Sequence, residues 1–268
     1  MKLFFFDLDG SLLNSEKKIT PETYKALEQW HEAGHRIAIS SGRPAASVLM
    51  VIRELKLDVF SPYAIASNGT QIKEYATGKD LWRKSLSMED VKRTVAIAAE
   101  RGIYCHAYDD DHILTPREGE ELKFYTRVVK LPFRILPDFP EGMAMEPCKM
   151  LAIDLTEKKG IDELGRAAEA ACEGRICCVR SNPWYLEIFP SDAGKGAAVT
   201  ALAAHLNVDI RDTYATGDAA NDVSMLKAAG LGIAPANSDE YAKAAADAVS
   251  EKDNDHDYLA GFIKKEAV

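Results

Sequence analysis

Five short apolar runs, each stopped by a small, polar or acidic cluster, constrain this chain's fold most tightly: "LFFFDLDG", "RIAISSGR", "YAIASNGT", "TYATGDAAND" and "LGIAPANS". Helical patterns lie between or after most of them. A start signal at Thr20-Pro21-Glu22 precedes Tyr24 to Ala33, "AASVLMVIREL" follows Pro44, and Gly196 to Leu206 and Asp222 to Ala229 are rich in Ala and Leu. Strands that are apolar throughout, rather than alternating, and that are interleaved with helices predict a parallel sheet covered on both faces. In such a sheet ligands bind beyond the carboxyl ends of the strands, where strand order reverses, so all five clusters are expected on that one edge.

The middle of the chain follows a different rhythm. From Ser87, "SMEDVKRTVAIAAERG" reads as a helix with Ser87 and Asp90 as a capping box, and "IYCHAYDDDHILT" as a hairpin. A helix "GEELKFYTRVV", a strand "KMLAIDL", a helix "DELGRAAEAACEG" and a second hairpin "RICCVRSNPWYLEIF" follow. Strands paired through short turns predict an antiparallel α+β unit. The expected division is a core of residues 1–81 and 189–268 with an α+β cap, 82–188, inserted between its halves. Trp184 and Tyr185 are expected in the hairpin core of that cap, ahead of the alternative that they line a substrate pocket.

Composition narrows the function. At 268 residues the chain has room for one large or two modest domains. Hydrophobic residues at 47% and charged residues at 28% argue against long disordered or low-complexity segments. A formal charge of −9 with no Lys/Arg run argues against nucleic acid as a partner. The same charge opposes anionic substrates, so a phosphate ligand needs a metal ion or a locally placed cation. The apolar run Leu3 to Phe6 is too short for a signal-peptide core, and no stretch reaches membrane-spanning length. The five cysteines read as buried thiols in a reducing cytoplasm, with Cys177 and Cys178 facing opposite ways in a strand.

Four clusters carry chemistry. Asp7 and Asp9, at i and i+2, share one face of an extended segment, where two close carboxylates call for a cation. All-oxygen ligation suits Mg²⁺. A turn built of Asp and Gly is the plain alternative. In "ISSGR" the Ser41 hydroxyl and the Gly42 amide suit an anion at a strand end that opens a helix, or else form an ordinary N-cap. Lys195 in "SDAGKGAAV" begins a helix whose dipole disfavours a cation there, a conflict that hints at function, against a plain surface lysine. "YATGDAAND" places Asp218, Asn221 and Asp222 after a strand and into a helix start, where carboxylates also serve as caps.

Together "DLDGSLL", "SSGR", "AGKGAA" and "GDAANDVSM" resemble the motifs of the haloacid dehalogenase superfamily. The placement of the cap and "SNG" at Ser67 to Gly69 make the chain similar to the Cof-like, type IIB sugar phosphatases. The resemblance spans the whole chain and implies a Rossmann-like parallel-sheet core with an inserted α+β cap that excludes water and sets specificity. It implies Asp7 as nucleophile, forming an aspartyl-phosphate, and Asp9 as the acid and base that serves the leaving alcohol and then the water. Leu8, Ser41, Gly42, Lys195 and Asn221 would contact the phosphate. Mg²⁺ would be held by Asp7, the Asp9 backbone carbonyl and Asp218, with Asp222 outside them. Ser11 and Ser41 stand where the family more often has Thr, and each keeps the hydroxyl. The implied protein is a cytoplasmic phosphatase of small phosphorylated metabolites, a monomer or small homo-oligomer without nucleic acid or membrane partners. A phosphomutase sharing the first step, and a non-catalytic metabolite-binding module, are the rival readings. A module that only binds does not need a nucleophile.

Overall fold

The computed structural model describes residues 1–156 and 158–266, and they form two compact units. The first comprises Met1–Gly42, Val48–Trp82 and Gly194–Val268, and the second Arg43–Ser47 and Arg83–Ala193. Along the first stretch of chain lie β1 (Leu3–Asp7), α1 (Pro21–Glu32), β2 (Arg36–Ser40), α2 (Ala45–Glu54), β3 (Tyr63–Ala66), β4 (Gln71–Glu74) and β5 (Asp80–Arg83). Then come α3 (Met88–Glu100), β6 (Tyr104–Tyr108), β7 (Ile113–Thr115), α4 (Glu120–Val129), β8 (Phe133–Ile135), β9 (Met150–Ile153), α5 (Lys158–Ala171), β10 (Ile176–Asn182) and β11 (Tyr185–Pro190). The chain closes with α6 (Lys195–His205), β12 (Thr213–Thr216), α7 (Val223–Ala228), β13 (Leu231–Ala234), α8 (Glu240–Ala245), β14 (Ala248–Val249) and α9 (Tyr258–Glu266).

The first unit is built on a sheet ordered β14-β13-β12-β1-β2-β3-β4-β5. From β14 through β3 all pairings are parallel. The apolar "LFFF" forms the middle of it, and Leu3, Phe4, Phe5 and Phe6 have no exposed surface, as expected of a strand covered on both faces. From β1 the order runs one way through β2 and β3 and the other way through β12 and β13, so it reverses between β1 and β12. Asp7 ends β1, and Asp218 follows β12 by two residues. The reversal therefore delivers two of the candidate carboxylates to one edge.

Helix starts follow their caps. The Thr20 hydroxyl accepts from the Thr23 amide with Pro21 at the first helical position of α1, and the Ser87 hydroxyl accepts from the Asp90 amide ahead of α3. The strand run after β3 departs from the sequence expectation, since β4 pairs antiparallel with β3 and β5 follows at the sheet edge. "QIKE" and "DLWR" are short and half polar, so neither announces a strand.

The second unit holds a sheet ordered β10-β11-β9-β6-β7-β8, antiparallel except between β7 and β8. Its apolar face, with Cys105, Ala107, Met150, Ala152, Leu186 and Ile188, packs with Val91, Ala98, Leu164 and Ala168 of α3 and α5. The opposite face carries Tyr104, Tyr108, Leu151 and Tyr185 against Leu122, Tyr125 and Val129 of α4. Both expected hairpins are present. The β11 strand stays in this second sheet as far as Pro190. Strand β8, Phe-Arg-Ile, is exposed throughout and is only three residues long, too short to stand out in sequence. Tyr185 is buried as expected. Trp184 is not; it sits in the turn before β11 with an edge-on contact to Phe124 and is 38% exposed. Among the described residues no helix is long and apolar enough to cross a membrane.

Candidate active site

At the carboxyl end of β1 the chain must turn sharply without losing the direction of Asp7. The Leu12 amide donates to the Asp7 carbonyl at 3.1 Å and the Leu13 amide to the Leu8 carbonyl at 2.8 Å, which closes a compact loop over residues 7–13. Gly10 sits at φ +84, a left-handed conformation that glycine adopts without cost. A Cβ there would lie 2.3 Å from Asp218 Oδ2, so the glycine also makes room for that carboxylate.

Asp7, Asp218 and Asp222 each present a carboxylate oxygen, all within 4.8 Å of one another. Lys195, the first residue of α6, extends into the same space. Its ammonium donates to Asp7 Oδ1 at 2.6 Å and to Asp222 Oδ1 at 2.5 Å, and only 1% of the residue is exposed. Asp222 Oδ2 accepts from the backbone amides of Asp218 and Ala219, at 3.1 and 3.2 Å. Both oxygens of Asp222 thus have partners within the protein. It braces the turn Ala220–Asp222 and orients Lys195. Ser11 donates to Asp218 Oδ1 at 3.1 Å.

Three carboxylates face one ammonium. Burial, reinforced by the charges of Asp222 and Asp218 and opposed by Lys195, holds the Asp7 pKa well above the usual carboxylate range. Burial and the Asp222 charge likewise push Asp218 up to about 6, against the pull of Ser11 and Lys195. Burial works to lower the Lys195 pKa, but Asp222 and Asp7 outweigh it and raise it above its ordinary value, so the ammonium stays charged. The surplus of negative charge over one buried cation is what a divalent ion relieves, and an all-oxygen donor set suits a hard cation. The residues present fit such an ion.

The other expected positions fall as follows. Leu8 has no exposed side-chain surface, so it has only its backbone to offer a ligand. Ser41 is buried just past β2, its amide donating to the Ile65 carbonyl at 2.9 Å, and its carbonyl accepts from the Asn68 amide at 3.2 Å. Gly42 follows it, and a Cβ there would stand 2.7 Å from Asn68 Oδ1 and 4.0 Å from Asn221 Nδ2. Gly42 and the amides of Asn68 and Asn221 therefore converge. Asp9 is set apart from the carboxylate group: its Oδ1 accepts from the Lys17 ammonium at 2.8 Å, and both side chains are partly open to solvent.

Two participants escaped the sequence reading. Asn68 lies in the turn Ser67–Gly69, where it has φ +59, and "SNG" marked it only as part of a resemblance. Lys17 has φ +60 in a loop held by Asn14, whose side chain accepts from the amides of Glu16 and Lys18. Nothing in "NSEKK" shows that one of two adjacent lysines reaches back eight residues.

The model of the haloacid dehalogenase-like hydrolases matches residues 4–263 of the chain. A 5-amino-6-(5-phospho-D-ribitylamino)uracil phosphatase of Bacillus subtilis is 30% identical over 286 residues, spanning 98% of this chain and 97% of its own. A second phosphatase of that organism is 28% identical over 96% of each chain. Among solved structures, a haloacid dehalogenase-like hydrolase from Bacteroides thetaiotaomicron superposes with a TM-score of 0.87 at 27% identity over 98% of both chains.

Proposed function

The chain belongs to the haloacid dehalogenase-like hydrolases and is a hydrolase of phosphoric monoesters, and from that premise we propose that it dephosphorylates small phosphorylated metabolites, foremost sugar phosphates, through an aspartyl-phosphate on Asp7. The observation that carries this reading is the buried Lys195 ammonium shared by Asp7 and Asp222 beside Asp218. A carboxylate held by a cation at a strand end, with a second cation's place beside it, is a nucleophile prepared for an anionic substrate.

An Asp7 oxygen attacks phosphorus and the ester oxygen departs with its electron pair, taking a proton from Asp9. Asp9, now a carboxylate, removes a proton from water, which attacks the phosphorus and returns Asp7 and inorganic phosphate. The Ser41 hydroxyl, the Gly42 amide, the Leu8 backbone and Asn221 hold the transferring oxygens, and Lys195 offsets their charge. Asp7, the Asp9 carbonyl and Asp218 would hold Mg²⁺, with Asp222 behind them. Bound there, the ion neutralises charge on the phosphoryl group and its nucleophile.

The B. subtilis relative at 30% identity is named for a substrate with phosphate on a ribityl chain, which supports a phosphorylated sugar or polyol here. Phosphate release should be measured across sugar phosphates, polyol phosphates, nucleotides and pyridoxal phosphate, with and without chelator, for the wild type and Asp7→Asn. Release that needs Mg²⁺ and disappears in Asp7→Asn is expected. Undiminished release by Asp7→Asn sinks the mechanism, and no release across the panel moves the chain to the binding-module reading.

A further inference from the structure

Side chains of β11 alternate between the two faces of the second sheet. Leu186 and Ile188 enter the apolar packing with α3 and α5, and Tyr185 enters the opposite face with Tyr104, Tyr108 and Tyr125. On that face the Tyr104 hydroxyl shares a 2.8 Å hydrogen bond with Thr115, Tyr108 donates to Tyr125 at 2.7 Å, and Glu187 accepts from Lys149 at 2.5 Å and from Ser181 at 3.0 Å. The Tyr185 hydroxyl has no partner among the described residues, although only 6% of the residue is exposed. His106 Nδ1 is unpaired as well, but in a residue with no exposed surface. A buried phenol that gives its hydrogen to nothing costs stability, and phenylalanine would fill the same place without that cost. A partner that arrives from outside accounts for such a group.

Tyr185 lies close to solvent. The ring of Phe124 meets it edge-on at 6.1 Å and meets Trp184 edge-on at 5.8 Å, and these two outer rings are 37% and 38% exposed. Exposed side chains change rotamer within nanoseconds, so Phe124 is a movable neighbour of the phenol. The same cluster touches the chain just past the candidate anion site. Arg43–Ser47, which follows Gly42, belongs to this second unit, and Ala46 packs against the group that holds Tyr125 and Tyr185. Open aromatic rings beside a phenol with a hydrogen to give suit a sugar or polyol, whose C–H groups lie on the rings while a hydroxyl takes the hydrogen bond.

We propose that Tyr185 is a specificity-determining residue whose hydroxyl binds a hydroxyl of the substrate's leaving group, a sugar or polyol, beside the rings of Phe124 and Trp184. This rests on the proposed function, in which the leaving group is the part of the substrate that Ser41, Gly42 and Lys195 do not hold. A tyrosine needed only for packing would lose nothing as phenylalanine. Loss of one neutral hydrogen bond to a ligand weakens its binding by about 3- to 10-fold.

For the full-length wild type and Tyr185→Phe, kcat/KM should be measured on the most reactive sugar or polyol phosphate of the panel and on p-nitrophenyl phosphate, whose leaving group carries no further hydroxyl. The ratio of the two values should fall by about 3- to 10-fold in Tyr185→Phe. Its melting temperature should stay level or rise, because only an unpaired hydroxyl has gone. A ratio within about 2-fold of wild type, which includes an equal loss on both substrates, overturns the proposal. A melting temperature several degrees lower also overturns it, since the hydroxyl would then have a partner inside the protein. Release confined to esters without a sugar or polyol overturns the inference and leaves the phosphatase reading standing. A wild type that releases phosphate from no ester overturns the proposed function, and calorimetric binding of ribitol 5-phosphate and of inorganic phosphate then decides the inference by itself. A drop of about 3- to 10-fold in the ratio of those affinities in Tyr185→Phe supports it, and an unchanged ratio overturns it.

Discussion

Lys195 Nζ lies 2.6 Å from Asp7 Oδ1 in a place closed to solvent, at the start of a helix whose dipole opposes a cation. Only the carboxylates around it make that position tenable. Lys195→Met keeps much of the volume and leaves those carboxylates uncompensated, so about 3–5 kcal/mol of stability should go. Turnover should fall by about 10²–10³, as when one stabilising donor is removed from a transition state. Denaturant unfolding with and without MgCl₂ checks this, and the deficit should shrink when the ion is present. A variant that unfolds at the wild-type midpoint in both conditions contradicts it.

Removing the ion has a pH signature of its own. Asp218 is raised to about 6 and Asp7 is raised as well, so the metal-free fold binds protons that the unfolded chain releases near pH 4. A raised group gives stability that is present below its unfolded pKa and lost as pH climbs through the folded one. The metal-free protein should therefore lose stability between about pH 4 and 6. Mg²⁺ competes with those same protons, so its affinity should climb through that range and level off above it. Calorimetric titration at a series of pH values from acid to neutral measures this. A flat profile means that these carboxylates do not hold the ion.

Much of this site was legible because the sequence repeats one local rule. An apolar strand that stops at Asp7, at Ser41 or at Asp218 fixes both the element and its polar end, and parallel packing then brings those ends to one edge. Lys195 stood out through its conflict with the helix dipole. Partnerships across the fold were not legible. That Asp222 turns one oxygen to Lys195 and the other to two backbone amides depends on the turn Ala220–Asp222, where the sequence pattern predicted a helix from Asp222 onward. Asn254 and Asp255 reach Leu13 and Ser15 from the opposite end of the chain, and no local pattern encodes that approach.

Gly42 is sterically rather than conformationally required. Its φ is not in the left-handed region, but a Cβ would stand 2.7 Å from Asn68 Oδ1. Asn68 has little room to retreat, since it is buried and its backbone amide is held on the Ser41 carbonyl at 3.2 Å. Gly42→Ala should cost about 1–3 kcal/mol from overpacking, and should weaken competitive inhibition by inorganic phosphate more than it lowers the melting temperature. Inhibition constants alongside thermal unfolding test the pair, and phosphate inhibition equal to wild type removes Gly42 from the anion site.

His106 supplies a stability prediction remote from the chemistry. It has no exposed surface in the second sheet, its Nε2 shares a 2.8 Å hydrogen bond with Tyr108, and Tyr108 donates to Tyr125 at 2.7 Å. Burial, with a smaller push from the Lys149 charge, lowers its pKa to about 3. The unfolded chain takes up this proton near pH 6.5 and the folded one does not, so the stabilisation is complete above pH 6.5 and erodes as pH falls toward 3. The slope from this one group approaches about 1.4 kcal/mol per pH unit. His106→Gln keeps a hydrogen-bonding side chain but cannot titrate. Its unfolding free energy should fall less steeply than the wild type's from pH 6 to 4 by about one proton's worth. The raised carboxylates of the first unit contribute equally to both proteins and cancel in the difference. Asp90, lowered by its bond to Arg175, titrates below that window. Parallel slopes for the two proteins would show that His106 is protonated in the folded state after all.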